Sequence, residues 1–398
     1  KDMNTKLIIY FFCLLPFFNT SYAQDWGPRS LDELKKETLR RAANNLNPIT
    51  GILMEDAERA MSKFNSPDKD LWASIWMDNG DYWMESAKKS SGIDAELDYY
   101  LAWRNYNVGR WPTEKHSDGK KLSYEKGIKA FLKYGELLEP SVERVVIPFE
   151  DSHIIAYLRI PSSNNPVPLI FALNGLDSRK EDIIAGTDNY IKNGIAVFAM
   201  DMPGTGESPV LIDIGSERVF SVALDYLETR KEIDSNNIAV QGRSWSGYWA
   251  ALLAYIEKDR IKGSAVHGVQ VHGYFQPDWQ RKALLSEEYL FDLFPARSVV
   301  YNTNNMEDFL AYGPRLSLID RGYIDQASAP MLLVNGHQDS QQPISDLYLL
   351  MENGDPKDVW VNPIGGHLGR SEIWTMRKIL NEVVEPWLMR KVGVEPLK

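Results

Sequence analysis

The chain has 398 residues, 44% hydrophobic and 25% charged, which excludes a disordered or fibrous protein and leaves room for one large domain or two modest ones. A formal net charge of -11 with no run of Lys or Arg excludes a nucleic-acid surface and speaks against anionic partners. Small neutral or weakly charged ligands remain.

Taken in chain order, the first predicted element is an address. Lys6 is followed by LIIYFFCLLPFF and NTSYAQ: a basic start, an apolar stretch and small residues before a cut after Ala23. A membrane anchor needs about 20 apolar residues, and this stretch is shorter and broken by Pro16. Residues 1–23 therefore read as a cleaved signal peptide, and the mature protein as secreted or periplasmic without a stable membrane anchor. The single cysteine, Cys13, falls inside that signal, which removes disulfides, thiolate catalysis and Cys-ligated metals from the mature protein.

Residues 24–140 read as an all-helical unit. Apolar residues recur at three- and four-residue spacings in LDELKKETLRRA, ILMEDAERAMSKF, LWASIWMDNGDYWMESA, ELDYYLAWRNYNVGRW and YEKGIKAFLKYGELL, which predicts about five helices. Trp72, Trp76, Trp83, Trp103 and Trp111, with Tyr82, Tyr99, Tyr100 and Tyr106, crowd into this span. They serve as packing core or as the lining of a pocket for a bulky or aromatic substrate, and the unit could pair with a second copy as a homodimer.

Residues 141–398 read as an α/β domain. VERVVIPF and HIIAYLRIP predict an antiparallel hairpin around Glu150, Asp151 and Ser152. Short buried runs then alternate with helical patterns at PLIFAL, IAVFAMD, NIAVQG, KGSAVHG, PMLLVNG and KDVWVNP, which predicts a mostly parallel sheet covered on both faces. Residues 269–329 exceed what one crossover needs and should project over one end of that sheet.

The segment AVQGRSWSGYWAA runs from strand to helix through a tight turn carrying two serines. A strained strand-to-helix nucleophile turn requires small residues two positions before and after the nucleophile. Ser244 has Gly242 and Ser246 there, whereas Ser246 has Ser244 and the bulky Tyr248. Ser244 is thus the candidate, although Gly-x-Ser-x-Gly has become Gly242-Arg243-Ser244-Trp245-Ser246-Gly247.

A serine hydroxyl needs a base to take its proton and an acid to orient the base. In this architecture the chain order is serine, acid, histidine. Asp339 follows the strand PMLLVNG, and His367 lies in a Gly-rich loop after KDVWVNP. Asp320, Asp325 and Asp346 are the alternative acids, and the other five histidines lack this context. His267 and His272, five apart on a strand, would face opposite ways and have no third ligand, so no metal is expected. DMPGTGES lacks phosphate-loop spacing and reads as a structural turn. An oxyanion needs two backbone donors: the Trp245 amide and, from NGLDSRKED, that of Leu176 or Gly175. Lys180 and Glu181 in that loop read as charges at a helix start.

With NGLDSRKED, GRSWSG, NGHQDSQQP and GGHLGR in this order behind a helical unit, the chain resembles the esterase FrsA-like branch of the α/β-hydrolases. That group is similar to 2,6-dihydropseudooxynicotine hydrolase and to fungal hydrolases that shorten polyketides. The resemblance implies an α/β-hydrolase fold behind an all-helical lid, no cofactor, and a catalytic triad at Ser244, Asp339 and His367. Some relatives cleave a carbon–carbon bond beside a ketone, so a β-diketone-like substrate stands beside a carboxylic ester as the expectation for a small molecule. A non-catalytic receptor retaining the hydrolase pocket is the remaining alternative.

Overall fold

The computed structural model describes residues 29–397; the predicted signal peptide, with Cys13, lies outside the described residues. Among the described residues five α-helices precede the first strand: α1 Leu31–Ala43, α2 Met54–Lys63, α3 Lys69–Ala87, α4 Gly92–Arg110 and α5 Asp118–Leu137. Their starts follow from capping chemistry. The side chains of Ser30, Asp68 and Ser117 each accept a first-turn amide of α1, α3 and α5, and Glu33 closes a reciprocal capping box with Ser30.

Helix α4 departs from the amphipathic expectation. From Leu101 to Arg110 every residue is buried, including Arg104, Asn105, Asn107 and Arg110. A helix buried all round must find a partner for each polar group it carries, and those partners come from the rest of the chain.

The sheet has eight strands: β1 Glu143–Phe149, β2 Ser152–Arg159, β3 Val167–Leu173, β4 Ala196–Met200, β5 Ile233–Arg243, β6 Ser264–His267, β7 Met331–Gly336 and β8 Asp358–Asn362. Their spatial order is β1-β2-β4-β3-β5-β6-β7-β8. The β1–β2 and β2–β4 pairs are antiparallel and all others parallel, so the predicted hairpin begins an otherwise parallel sheet.

Alternate strand residues enter two cores. Leu169, Phe171, Leu173, Phe198, Val240 and Leu333 pack on one face; Ile170, Ala172, Val197, Ala239, Leu332 and Val334 pack on the other. Both faces are therefore covered, which is why these strands read as continuous apolar runs. The N-terminal helices join both cores, through Trp72, Trp76 and Trp111 on one side and Trp103 and Phe131 on the other.

The connecting helices follow as α6 Lys180–Ile184, α7 Asp188–Lys192, α8 Arg218–Glu228, α9 Ser246–Ile256, α10 Pro277–Ala283, α11 Leu293–Ser298, α12 Met306–Tyr312 and α13 Ile344–Glu352. The last helical stretch begins at Met376, because Thr375 caps Lys378, and passes through a π-turn before Pro386, whose missing N–H widens the turn. Among the described residues no helix is long and apolar enough to cross a membrane. The parallel strands share one carboxyl edge, where the loops after β3, β5, β7 and β8 converge.

Candidate active site

Ser244 sits between β5 and α9 with φ 55°, in the left-handed region that a non-glycine residue avoids. Such a conformation costs about 1–3 kcal/mol and must be held by its surroundings. Here the Ser244 amide donates to the His267 carbonyl at 2.8 Å, and its carbonyl accepts from the Gly247 amide at 2.8 Å and from Gln342 Nε2 at 3.0 Å. The neighbours are small by necessity. A Cβ on Gly242 would lie 2.0 Å from the Ser246 carbonyl oxygen, and one on Gly247 would lie 1.7 Å from that of Gly268.

The displaced glycine of the motif thus has its own close approach, to the end of β6. Ser246, fully buried, donates its hydroxyl to the Asn174 carbonyl just beyond β3. Of the two serines, Ser246 is committed to the scaffold and Ser244 is left facing the cleft.

Ser244 Oγ lies 2.9 Å from His367 Nε2, and His367 Nδ1 lies 2.9 Å from Asp339 Oδ2. Asp339 Oδ1 accepts the amides of Gln341 at 2.8 Å and Gln342 at 3.0 Å. Burial pushes the Asp339 carboxyl up, but the imidazole and the two amides together outweigh it and hold its pKa below the ordinary value. An Nδ1–H bonded to this carboxylate leaves the Nε2 lone pair aimed at Ser244.

The histidine loop is pinned through Leu368, itself at φ 63°, whose carbonyl accepts from His267 Nε2 at 2.9 Å. Burial drives the His267 pKa down to about 3, so this imidazole stays neutral. His272 bonds instead to Ser317 Oγ at 2.8 Å, so the two histidines serve separate partners. Among the alternative acids, Asp346 accepts the amides of Val271, His272, Gly273 and Tyr274, and Asp320 and Asp325 are exposed.

The candidate oxyanion donors divide clearly. The amides of Trp245 and Leu176 have no hydrogen-bond partner among the described residues, whereas that of Gly175 donates to Ser178 Oγ at 3.0 Å. Leu176 is therefore the free one of the two alternatives, and Gly175 has another part. A Cβ there would lie 3.1 Å from Ser244 Cβ, so glycine lets the loop close over Ser244.

Asn174, fully buried, organises that loop. Its Nδ2 donates to the Ser178 carbonyl at 2.7 Å and its Oδ1 accepts the Met202 amide at 2.7 Å. From outside, Asp177 Oδ2 accepts Asn47 Nδ2 at 2.8 Å and Trp111 Nε1 at 2.9 Å, and the Asp177 carbonyl accepts from Arg110 at 2.7 Å. Arg104 bonds Asp182 Oδ1 at 2.5 Å. These partners of the loop escape sequence reading; the one signal is the set of Arg and Asn residues inside the otherwise apolar second half of α4.

Lys180 and Glu181 do start a helix, but as members of a buried cluster. Lys180 Nζ lies 2.9 Å from Asp201, 2.7 Å from Glu207 and 3.1 Å from Glu181. The DMPGTGES segment wraps around Asp201, which accepts the Glu207 amide at 3.0 Å and leaves no room for a Cβ on Gly206. It is a structural turn.

A narrow cleft opens at Ser244, His367, Trp245 and Leu176, walled by Tyr274 and Tyr289 from the segment after β6. That segment covers the carboxyl edge of the sheet. The tryptophans of the helical unit do not line this cleft; Trp111 packs on Tyr289 with ring centroids 5.0 Å apart, and Trp72 meets Phe291 edge-on at 4.9 Å.

Three comparisons bear on this arrangement. The structure superposes on the crystal structure of 2,6-dihydroxy-pseudo-oxynicotine hydrolase with a TM-score of 0.72 and 21% identity, covering 87% of this chain and 96% of that one. AbyA5 gives a TM-score of 0.72 at 18% identity, covering 92% and 96%. Identities this low carry the fold alone. In sequence, esterase FrsA of Vibrio parahaemolyticus (strain RIMD 2210633) is 23% identical over 331 residues, 78% of each chain. Esterase FrsA of Enterobacter sp. (strain 638) is 24% identical over 269 residues, and the match spans 64% of that relative's length. The esterase FrsA-like family model matches residues 65–376. With most of its length matched by that model and an eight-stranded α/β-hydrolase sheet behind five helices, this chain belongs to the esterase FrsA-like family.

Proposed function

We propose that this member of an esterase family is a serine hydrolase that cleaves a small or medium-sized carboxylic ester through an acyl-enzyme on Ser244. The observation that carries the reading is the hydrogen-bonded line Asp339–His367–Ser244 ending beside two unpaired amides, those of Trp245 and Leu176. In the first half-reaction His367 Nε2 takes the Ser244 proton as Oγ attacks the ester carbon, and the carbonyl oxygen becomes an oxyanion held by the two amides. Collapse expels the alkoxide, which leaves with the proton from His367. Water, activated by the same imidazole, then attacks the acyl carbon and returns Ser244 and the free acid. Asp339 holds the tautomer and stabilises the imidazolium that forms in each half. Tyr274 and Tyr289 give the cleft aromatic walls suited to a bulky acyl or alcohol group. No step needs a cofactor.

The secretory reading rests on residues 1–23 and is part of this proposal. The test is reaction of the protein with a fluorophosphonate, followed by peptide mass mapping. The expected adduct is on Ser244 and disappears in His367→Ala. An adduct on Ser246, or none, overturns the assignment. Comparing kcat/KM on a short acyl ester and an aryl diketone then separates ester from carbon–carbon cleavage.

A further inference from the structure

Among the described residues six arginines are buried, and five of them face a carboxylate: Arg41 pairs with Glu37, Arg104 and Arg110 with Asp182, Arg159 with Asp188, and Arg179 with Glu114. Arg297, on α11, is the exception. It is 2% exposed, pairs with no carboxylate among the described residues, and lines the cleft that holds Ser244 and His367. One terminal nitrogen donates to Gln280 Oε1 at 2.8 Å and the other to Gln341 Oε1 at 3.4 Å, while Nε has no partner. Its guanidinium carbon lies 5.2 Å from the ring centre of Tyr274. Beside it, Gln341 Nε2 is a second buried donor without an acceptor.

A guanidinium has five N–H donors in a planar fork, and two amide oxygens and one aromatic face compensate little of the loss of water around a full charge. The strongest match for the donors left over is a carboxylate, accepting two parallel bonds. Resting on the serine hydrolase reading above, we infer that the substrate is an ester bearing a free carboxylate, and that Arg297 holds this carboxylate while Ser244 attacks the ester carbon. The acidic surface, with its net charge of -11, does not oppose this: that charge sets the long-range field, whereas a buried fork acts at contact. Arg297 thus becomes a specificity-determining residue that the overall composition conceals.

The experiment compares mono-4-nitrophenyl esters of succinate, glutarate and adipate with neutral isosteres in which a branched methyl end replaces the carboxylate. At one chain length the wild type should favour the half-ester in kcat/KM by about tenfold or more, mainly through KM, as a charge-assisted contact predicts. In Arg297→Gln the ratio should fall to about one, and Arg297→Lys, which keeps the charge without the fork, should lie between. A wild type that favours the neutral ester at every length, or an Arg297→Gln protein with an unchanged ratio, overturns the inference. An independent measurement uses full-length Ser244→Ala and reads thermal stabilisation by the monomethyl against the dimethyl esters of the same diacids. Greater stabilisation by the monomethyl ester supports the Arg297 assignment even if Arg297→Gln does not fold or no ester is turned over; equal stabilisation counts against it. If the fluorophosphonate leaves Ser244 unlabelled while the monomethyl ester still stabilises, the hydrolase reading fails and the anion site stands.

Discussion

Ser244, Asp339 and His367 hang from the ends of β5, β7 and β8, and the bonds that hold them come from the loops of the same sheet edge: His267, Gln342 and the Gln341 amide. The Leu176 amide is held in another way. Its loop after β3 is gripped by Asn47, Arg104, Arg110 and Trp111, all from the N-terminal helical unit. One half of the site is thus internal to the sheet, and the other half depends on a segment more than sixty residues away in sequence. The helical unit braces the loop that carries the second proposed oxyanion donor, with its tryptophans in the core and its polar residues on the loop.

The largest effect should come from the sheet's own half. Ser244→Ala or His367→Ala is expected to lower kcat by about 10⁴–10⁶-fold with the fold intact, measured on whichever ester the wild type turns over and checked by circular dichroism. Retention of more than a few per cent of activity in Ser244→Ala would break the comparison at its first term.

Next comes the brace. Asp182→Ala strands the buried guanidiniums of Arg104 and Arg110 and should destabilise the protein by about 3–5 kcal/mol in urea titrations. In conditions where the variant is folded, kcat should fall with KM little changed, because a loosened loop weakens the transition-state donor more than ground-state binding. A stable variant with normal kcat would show that the helices merely sit beside the loop.

Beneath the same loop, Glu181 offers a pH readout. Burial raises its pKa from the ordinary 4.5 to about 7; Lys180 opposes that and Asp201 reinforces it, since Lys180 is already shared with Asp201 and Glu207. Between those two values the folded chain keeps a proton that the unfolded chain has released. The stability from this group is therefore fully present below pH 4.5 and lost as pH rises through about 7. Glu181→Gln should remove that loss, so that the stability drop from pH 5 to pH 8 is smaller than in the wild type by about 2 kcal/mol. Parallel stability curves for the two proteins would refute it.

The smallest effect is expected where the two halves touch. Ser246→Ala removes the bond from the nucleophile turn to the Asn174 carbonyl and should cost about 1 kcal/mol, with fluorophosphonate still labelling Ser244. Loss of labelling in Ser246→Ala would mean that the two halves are coupled more tightly than their hydrogen bonds indicate.

Much of this was legible before any coordinates. The choice between Ser244 and Ser246 follows from the size of residues two positions away, a constraint acting within one turn of chain. The positions of Asp339 and His367 follow from the order of buried strands, and the five helices from their apolar spacing. The loop donor stayed open between Gly175 and Leu176, because the choice turns on whether Ser178 reaches back to the Gly175 amide. The part played by α4 was hidden as well: its spacing predicts a helix, but not that Arg104, Asn107 and Arg110 serve a buried loop brought against them only in the fold.

What the sequence by itself determined is the short-range sterics and periodicity: Gly242 and Gly247 around a strained serine, apolar runs that must be strands covered on both faces, and a serine, acid and histidine in that order at the ends of buried strands. Only the tertiary structure decided which polar groups find partners. It paired Arg104 and Arg110 with Asp182, spent the Ser246 hydroxyl on Asn174, and left Arg297 in the cleft without a carboxylate. The physical reason is that a side chain's size acts on neighbours a few residues away, whereas the satisfaction of a buried charge depends on groups the chain brings together only when it closes.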